Sequence, residues 1–432
     1  MQDRVRHPVR SHRVRVRSHR VRRLLIPAYL LALMAYTLLG APSVPFHGDE
    51  STLIFTTRDY FDQFVRRDLS TEDPMVERLR LLDGRVQKYW GGFVHHLTGG
   101  SAETLNAPWL WGADYTYNLD NGHIPDERLL TTQRLAIALM LALSVPAAYG
   151  VGAQVGGIWG GVLMAALVAF SPNLLINGRR AMMEAPLLLF SLLSVLAGLR
   201  WIAAERRHWL WLILLGVGAG MALASKHSAV LTLGPLFIGL GLAVTLQGRP
   251  RRLISLTTAG EIALVVFFAF NPAWWSDPLN TFDKVMNLRS ELLAQQVVAF
   301  GDYGDFGQQV TGYVTYGLLD QPQYFEVAEW GTWPQIAEQI AVYESSPWTP
   351  PAWLNTARAV LTLGLALVGG CALIRRRDGV SITVGVWAVV TMIAALFITP
   401  LPWARYYLPA LPPLYALAAA GIGALTQRRE TA

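Results

Sequence analysis

The chain has 432 residues, of which 53% are hydrophobic and 15% charged, with a formal charge of +6 and a mean hydropathy of +0.32. Soluble domains carry about 25% charged residues, so an ordinary water-soluble enzyme is excluded and lipid is the solvent for much of the chain. The single cysteine, Cys371, excludes a disulfide framework and a multi-cysteine metal cluster.

Residues 1–23 hold nine arginines against one acid, Asp3. Such an arm could bind nucleic acid, but an apolar run begins at Leu24, and basic flanks of a span stay inside. We therefore read 1–23 as a disordered cytoplasmic leader and expect no nucleic-acid partner. The run after it lacks an A-x-A cleavage site and is predicted to be a retained first span. About 20 apolar residues cross a bilayer. Windows of that length fall at 24–43, 135–153, 156–174, 184–203, 208–225, 228–247, 253–271, 354–374, 380–399 and 408–426. The prediction is an all-α polytopic membrane protein with ten spans, or eleven if one lies hidden in a loop. Residues 24–426 form one transmembrane domain, followed by a cytoplasmic tail at 427–432.

With residue 1 inside, the inner segments hold 20 Lys and Arg against four acids, whereas the outer segments hold 16 against 25. Hydropathy alone chose the spans, so this bias independently fixes the orientation. Two long outer loops remain, 44–133 and 272–353. In the first, Leu53, Phe55, Phe61, Phe64 and Val65 recur at rough helical spacing, which predicts short amphipathic helices on the membrane surface. Prolines at 272, 278, 322, 334, 347, 350 and 351 punctuate aromatic runs in the second, predicting a packed loop region with short helices. Gly152, Gly156 and Gly160 form a doubled small-xxx-small pattern, read as close helix packing.

Charged residues beside apolar spans are costly and usually functional. Asp49 and Glu50 follow the first span in Pro-Phe-His-Gly-Asp-Glu. Arg179, Arg180 and Glu184 sit at the junction of spans three and four, Lys226 and His227 at that of five and six, and Arg405, Tyr406 and Tyr407 at that of nine and ten. Each has a plainer reading: an acid pair that keeps a loop outside, a snorkelling lysine, an Arg179–Glu184 pair, an interfacial arginine. Their arrival on one face from four stretches favours a shared cavity. His47, His95, His96 and His123 share a loop with many acids and could bind a divalent ion, but none has an H-E-x-x-H or cysteine–histidine spacing. Gly216-x-Gly218-x-Gly220 lies inside an apolar span and is no dinucleotide fingerprint. Walker A and G-x-S-x-G sequences are absent.

A reaction on such a face, without a nucleotide site, needs a substrate that arrives through lipid and carries its own activation. A lipid-linked phosphate or diphosphate sugar does both. Lys and Arg would bind the phosphate and offset the charge that grows on it. One carboxylate would take the proton of the acceptor hydroxyl, and in-line displacement would invert the anomeric centre.

His47-Gly48-Asp49-Glu50 resembles the Asp-Glu motif in the first outer loop of GT-C glycosyltransferases of the protein O-mannosyltransferase and aminoarabinose-transferase type. Arg179 followed five residues later by Glu184 is similar to that group's Arg-acid pair, with Glu in place of the commoner Asp. The stretch 218–230, with Ser225-Lys226-His227-Ser228, resembles its glycine-rich helix ending in Ser/Thr-Lys. Asn271-Pro272-Ala273-Trp274-Trp275 and Arg405-Tyr406-Tyr407-Leu408-Pro409 resemble later landmarks, so the likeness covers most of 24–425. It implies a polyprenyl-phosphate-sugar-dependent transferase of mannose or another hexose or pentose, acting on a protein, lipid or glycan at the outer face. By this resemblance Asp49 is the general base, and Glu50 orients the acceptor or a neighbouring cation. Lys226, Arg405 and Arg179 hold the lipid phosphate, with Glu184, His227 and Tyr406 beside them. Mannosyltransferase-like members imply no required cofactor, while oligosaccharyltransferase-like members leave room for a divalent cation. The rival functions are a polytopic transporter or lipid flippase and a non-catalytic envelope scaffold.

Overall fold

In a computed structural model, which describes residues 10–205, 208–399 and 401–431, the described chain is helical and contains no strand. Eight helices are long and apolar enough to cross a membrane: Glu127–Ala169, Glu184–Ala203, His208–Ser225, His227–Leu246, Arg251–Phe270, Ala352–Arg376, Gly379–Ile398 and Ala404–Gln427. A shorter apolar stretch, Leu24–Leu39, ends the helix Arg10–Leu39.

The 43-residue helix Glu127–Ala169 is not straight. Gly156 and Gly157 leave helical geometry, and Gly157 takes a φ of +67°, open to glycine at little cost. The chain doubles back there: a side-chain carbon on Gly152 would lie 2.4 Å from the Gly160 carbonyl oxygen, which eight residues of straight helix would hold about 12 Å away. The small-residue pattern thus does serve close packing, but between two arms of one helical hairpin. The second arm runs on through Pro172–Arg179. With this hairpin and Leu24–Leu39, the eight long helices account for the ten expected spans.

The last span lies at the centre, packed against Glu127–Ala169 and Ala352–Arg376. The approach is backbone to backbone, since a side-chain carbon on Gly369 would fall 1.9 Å from the Leu417 carbonyl oxygen. Lipid gives helices no hydrophobic drive to associate, so such close van der Waals fit must supply it. Leu31, Ile254, Val265, Leu367 and Phe397 stay exposed, as lipid-facing side chains should.

The first helix, Arg10–Leu39, runs from the basic segment into the first apolar stretch, with no Gly or Pro across 10–26; residues 1–9 lie outside the described residues. The tail is helical as well, within Leu411–Thr431. In the first loop, Gly48–Phe55 does not lie on a lipid surface. It buries Leu53 against Met182 and Met183, and Ile54 against Ala181, whereas Phe64 and Val65 remain about half exposed. The second loop contains Pro278–Phe300, a 23-residue helix capped by Asp277, whose carboxylate accepts the Asn280 N–H at 3.1 Å.

Candidate active site

The helix Gly48–Phe55 starts where it does because His47 caps it. His47 Nδ1 accepts the Asp49 N–H at 3.0 Å, and the Glu50 carboxylate accepts the His47 N–H at 3.1 Å. Gly48 is required there, since a side-chain carbon would fall 2.8 Å from the Trp109 ring. Successive helical residues point about 100° apart, so the adjacent carboxylates face different surroundings.

Glu50 faces inward and is fully buried. Arg134, at the mouth of the span Glu127–Ala169, grips it with two bonds of 2.8 and 2.7 Å, and the Ala181 N–H adds a third at 3.0 Å. Burial alone would raise this carboxyl; Arg134 reverses that and holds it below the ordinary value. Glu50 does not reach the cavity described below, so a direct hold on an acceptor is replaced by a clasp beneath the motif.

Asp49 faces a cavity of about 840 Å³ and is 24% exposed towards it. Its carboxylate pairs with Arg405, which also lies 3.0 Å from Glu326. His47 closes the ring: its Nδ1 accepts a backbone N–H, which leaves Nε2 to donate to Glu326 at 2.7 Å. Three distant stretches of chain meet here. The His47 ring stacks on Phe325 at 5.6 Å and 7°, and the Arg405 guanidinium lies 4.9 Å from the Trp403 ring centre and 5.9 Å from that of Tyr406. Gln323 pins the turn before Arg405, accepting the Ala404 N–H at 2.6 Å and donating to the Pro402 carbonyl at 3.0 Å. Burial raises the Asp49 carboxyl, but Arg405 and then His47 outweigh it, so the group sits below the usual carboxylate range. Glu326 is likewise held low, with burial opposing Arg405 and His47.

Lys226, His227, Glu184 and Tyr406 line the same cavity among Leu and Met side chains. Lys226 donates to Glu184 at 2.7 Å. The start of the helix Arg85–Leu97 presses on this junction, where a side-chain carbon on Gly84 would fall 1.7 Å from the Ser225 carbonyl oxygen. Arg289, from Pro278–Phe300, also lines it, donates to the Leu82 carbonyl and lies 3.5 Å from His227 Nδ1. Among the described residues no carboxylate is within ion-pair distance of Arg289, and its buried Nε has no hydrogen-bond partner.

Six of the eight residues singled out in the sequence thus share the cavity: Asp49, Glu184, Lys226, His227, Arg405 and Tyr406. Besides Glu50, the exception is Arg179, which was expected on the phosphate. It is fully buried and donates to the carbonyls of Tyr36, Thr37 and Trp348 and to the Tyr343 hydroxyl, fastening the first span to the second loop. It pairs with neither Glu184 nor the cavity, because its donors are already satisfied behind the wall. Sequence reasoning missed Glu326, Arg134 and Arg289. Arg134 carried the same signal as Lys226, a cation at the end of an apolar run; Glu326 and Arg289 carried none.

The four loop histidines do not converge. His95, for instance, bonds Thr104 Oγ1 at 2.9 Å, and among the described residues no group of three or more His, Cys, Asp or Glu could hold a metal. In the cavity the Asp49 and Glu326 carboxylates both face the Arg405 guanidinium.

Residues 86–272 match the family model of dolichyl-phosphate-mannose-protein mannosyltransferases. Protein O-mannosyl-transferase 1 of Mus musculus is 32% identical over 144 residues, 31% of this chain and 18% of its own length. The Homo sapiens protein of the same name is 31% identical over 144 residues, with the same coverage. The match therefore spans less than a fifth of these curated relatives, and the family-model match leaves out Asp49, Glu326 and Arg405. Among solved structures, ArnT from Cupriavidus metallidurans bound to undecaprenyl phosphate is similar with a TM-score of 0.53 and 13% identity, over 92% of this chain and 60% of that one. The Archaeoglobus fulgidus oligosaccharyltransferase in complex with Zn and sulfate gives 0.51 and 12%, over 93% and 50%. The chain thus shares the polytopic helical fold of these two structures and is similar in sequence to the protein mannosyltransferases over 86–272.

Proposed function

We propose that the protein transfers a sugar from a polyprenyl-phosphate donor to an acceptor hydroxyl at the outer face of the cell membrane, with inversion. The acceptor oxygen bonds to the anomeric carbon as the bond from that carbon to the phosphate oxygen breaks. The electron pair goes to the phosphate, and the acceptor's proton goes to Asp49. The products are a glycosylated protein, lipid or glycan and the polyprenyl phosphate.

The observation that carries this reading is one apolar cavity in which the Asp49 carboxylate, with Asp83, Glu184 and Glu326, meets the cations Arg405, Lys226, Arg289 and Arg78. Leu and Met walls suit a prenyl chain, and the cations suit the phosphate whose charge rises as it leaves. Arg289 lines the cavity with no carboxylate within ion-pair distance among the described residues, so it takes the phosphate role expected of Arg179. Glu184 keeps Lys226 within the wall. The charge bias of the inner and outer segments supports placing this chemistry outside. The transporter reading gains nothing from the structure, since the ionisable groups gather at helix ends rather than in paired broken helices at the bilayer centre.

The test is transfer by purified protein from radiolabelled polyprenyl-phosphate mannose, and from other polyprenyl-phosphate sugars, to a panel of hydroxyl acceptors. Asp49→Asn should fold normally and lose about 10² to 10⁴ of its turnover, as expected for a missing general base. Transfer by Asp49→Asn at the wild-type rate would reject the assignment.

A further inference from the structure

Asp49 raises a chemical difficulty if it is the base. Its carboxylate is paired with Arg405, and a carboxylate gripped by a guanidinium is reluctant to take a proton. The arginine has to let go before the acceptor's proton can arrive. Glu326 makes that release selective. The guanidinium donates a hydrogen bond to Asp49 through one terminal nitrogen, and its Nε lies at ion-pair distance from Glu326, 3.0 Å, without a hydrogen bond. The two acids are not equally supported. Glu326 has a second partner in His47 Nε2 at 2.7 Å and is 9% exposed, whereas Asp49 is 24% exposed to the cavity and lies 3.8 Å from His47.

We propose that Glu326 is a positioning residue: it keeps hold of Arg405 while the other end of the guanidinium moves from Asp49 to the donor phosphate, so Asp49 is free to accept a proton only when donor is bound. This rests on the transfer reading above. A phosphate entering the ring makes three anions for one guanidinium. Arg405 can bridge two of them, and the acid with the weaker second support is the one released. The rings of Trp403 and Tyr406 keep the guanidinium beside its anchor as it turns. His47 ties the anchor to the base, because the imidazole that donates to Glu326 also caps the helix that carries Asp49. The charged and titratable groups around Asp49 are His47 from its own cap, Arg405 and Tyr406 from the last span, Glu326 from the second loop and Asp83 from the first, with Glu184 acting through Arg405.

The experiment uses full-length protein in lipid nanodiscs, with wild type, Glu326→Gln and Glu326→Asp. Infrared difference spectra follow the Asp49 carboxyl, identified by its loss in Asp49→Asn, through a pH titration with and without polyprenyl phosphate. Kinetics with a labelled polyprenyl-phosphate sugar give kcat and donor KM. In wild type, polyprenyl phosphate should raise the pH at which Asp49 protonates. In Glu326→Gln that rise should vanish, kcat should fall about 10²-fold, the scale of a mis-set reacting group, and donor KM should hold or drop. Glu326→Asp should recover part of both, and it decides the matter if the glutamine variant does not fold. A donor-induced rise in Glu326→Gln equal to that of wild type overturns the proposal, as does a raised KM with unchanged kcat. If wild type moves no sugar at all, the transfer reading fails by itself, and the infrared titration still decides whether Glu326 governs the exchange of Arg405.

Discussion

Asp49 and Glu50 are neighbours in sequence and opposites in environment, and the regions around them differ in the same way. Around Glu50 the arginines are closed off: Arg134 by both carboxylate oxygens, Arg179 by three carbonyls and a hydroxyl. Around Asp49 the ion pairs have one side open to an 840 Å³ cavity. A buried charge with all its bonds made is a fastener; one with an open side can exchange partners, and exchange is what a reaction needs.

The comparison breaks most sharply if the fastener is cut. Glu50→Ala leaves Arg134 buried without its anion, which costs about 3–5 kcal/mol of stability, while Asp49→Asn should melt like wild type and fail in turnover. Thermal unfolding of both in the same lipid discs checks this. The acid side gives a second reading of the same pair. Glu50 is held below its ordinary value, so its contribution is complete above the unfolded carboxyl value and is lost as pH falls through the lower folded one. Wild type should therefore lose stability below about pH 4, and Glu50→Gln should flatten that limb. Equal melting of Glu50→Ala and wild type would mean that the buried pair fastens nothing.

A smaller effect sharpens the contrast between two arginines. Arg289 faces the cavity with an unpartnered Nε, and Arg179 is closed behind the wall. A charge-assisted hydrogen bond to a phosphate contributes about 1.5–3 kcal/mol, so Arg289→Gln should raise donor KM by about 10- to 100-fold with little change in melting. Arg179→Gln should do the reverse. An Arg289→Gln protein with wild-type donor KM would remove Arg289 from the phosphate site.

These two arginines also mark how far the sequence could be read. Spans were legible because lipid imposes length and apolarity on each crossing. Arg179 and Arg405 sent the same signal, a cation beside an apolar run, yet only tertiary structure separates a satisfied guanidinium from one at a cavity. Glu326 lies in Tyr-Phe-Glu-Val, within a proline-punctuated loop and 79 residues from Arg405; no periodicity relates them, because the contact is made by loop packing. The bend at Gly156–Gly157 was visible as small residues, but their spacing fits two helices in contact as well as one helix turning on itself.

The smallest effect is expected at a third charge cluster, behind the cavity wall. Asp59 receives Arg85 at 2.6 Å, Arg80 at 2.9 Å and Lys88 at 3.3 Å, all buried, with Asp62 adding a second acid at 3.1 Å from Arg80. Lys88 is held at the longest distance of the three: burial above all pushes it down to about 8 despite the pull of Asp59. Between that value and the unfolded lysine value of about 10.4, the unfolded chain binds more protons than the folded one, so stability rises with pH across this window. Lys88→Met keeps the apolar stem and leaves Asp59 its two arginines. It should change stability at neutral pH by no more than about 1 kcal/mol and abolish the alkaline rise. Asp59→Asn, which takes the carboxylate from Arg85 and Lys88 and leaves Arg80 only Asp62, should be far worse. Melting temperatures from pH 7 to 10 distinguish these outcomes. A Lys88→Met protein as unstable as Asp59→Asn would show that Lys88 is a required member of the cluster, and that full satisfaction, not charge balance, is what makes a buried group a fastener here.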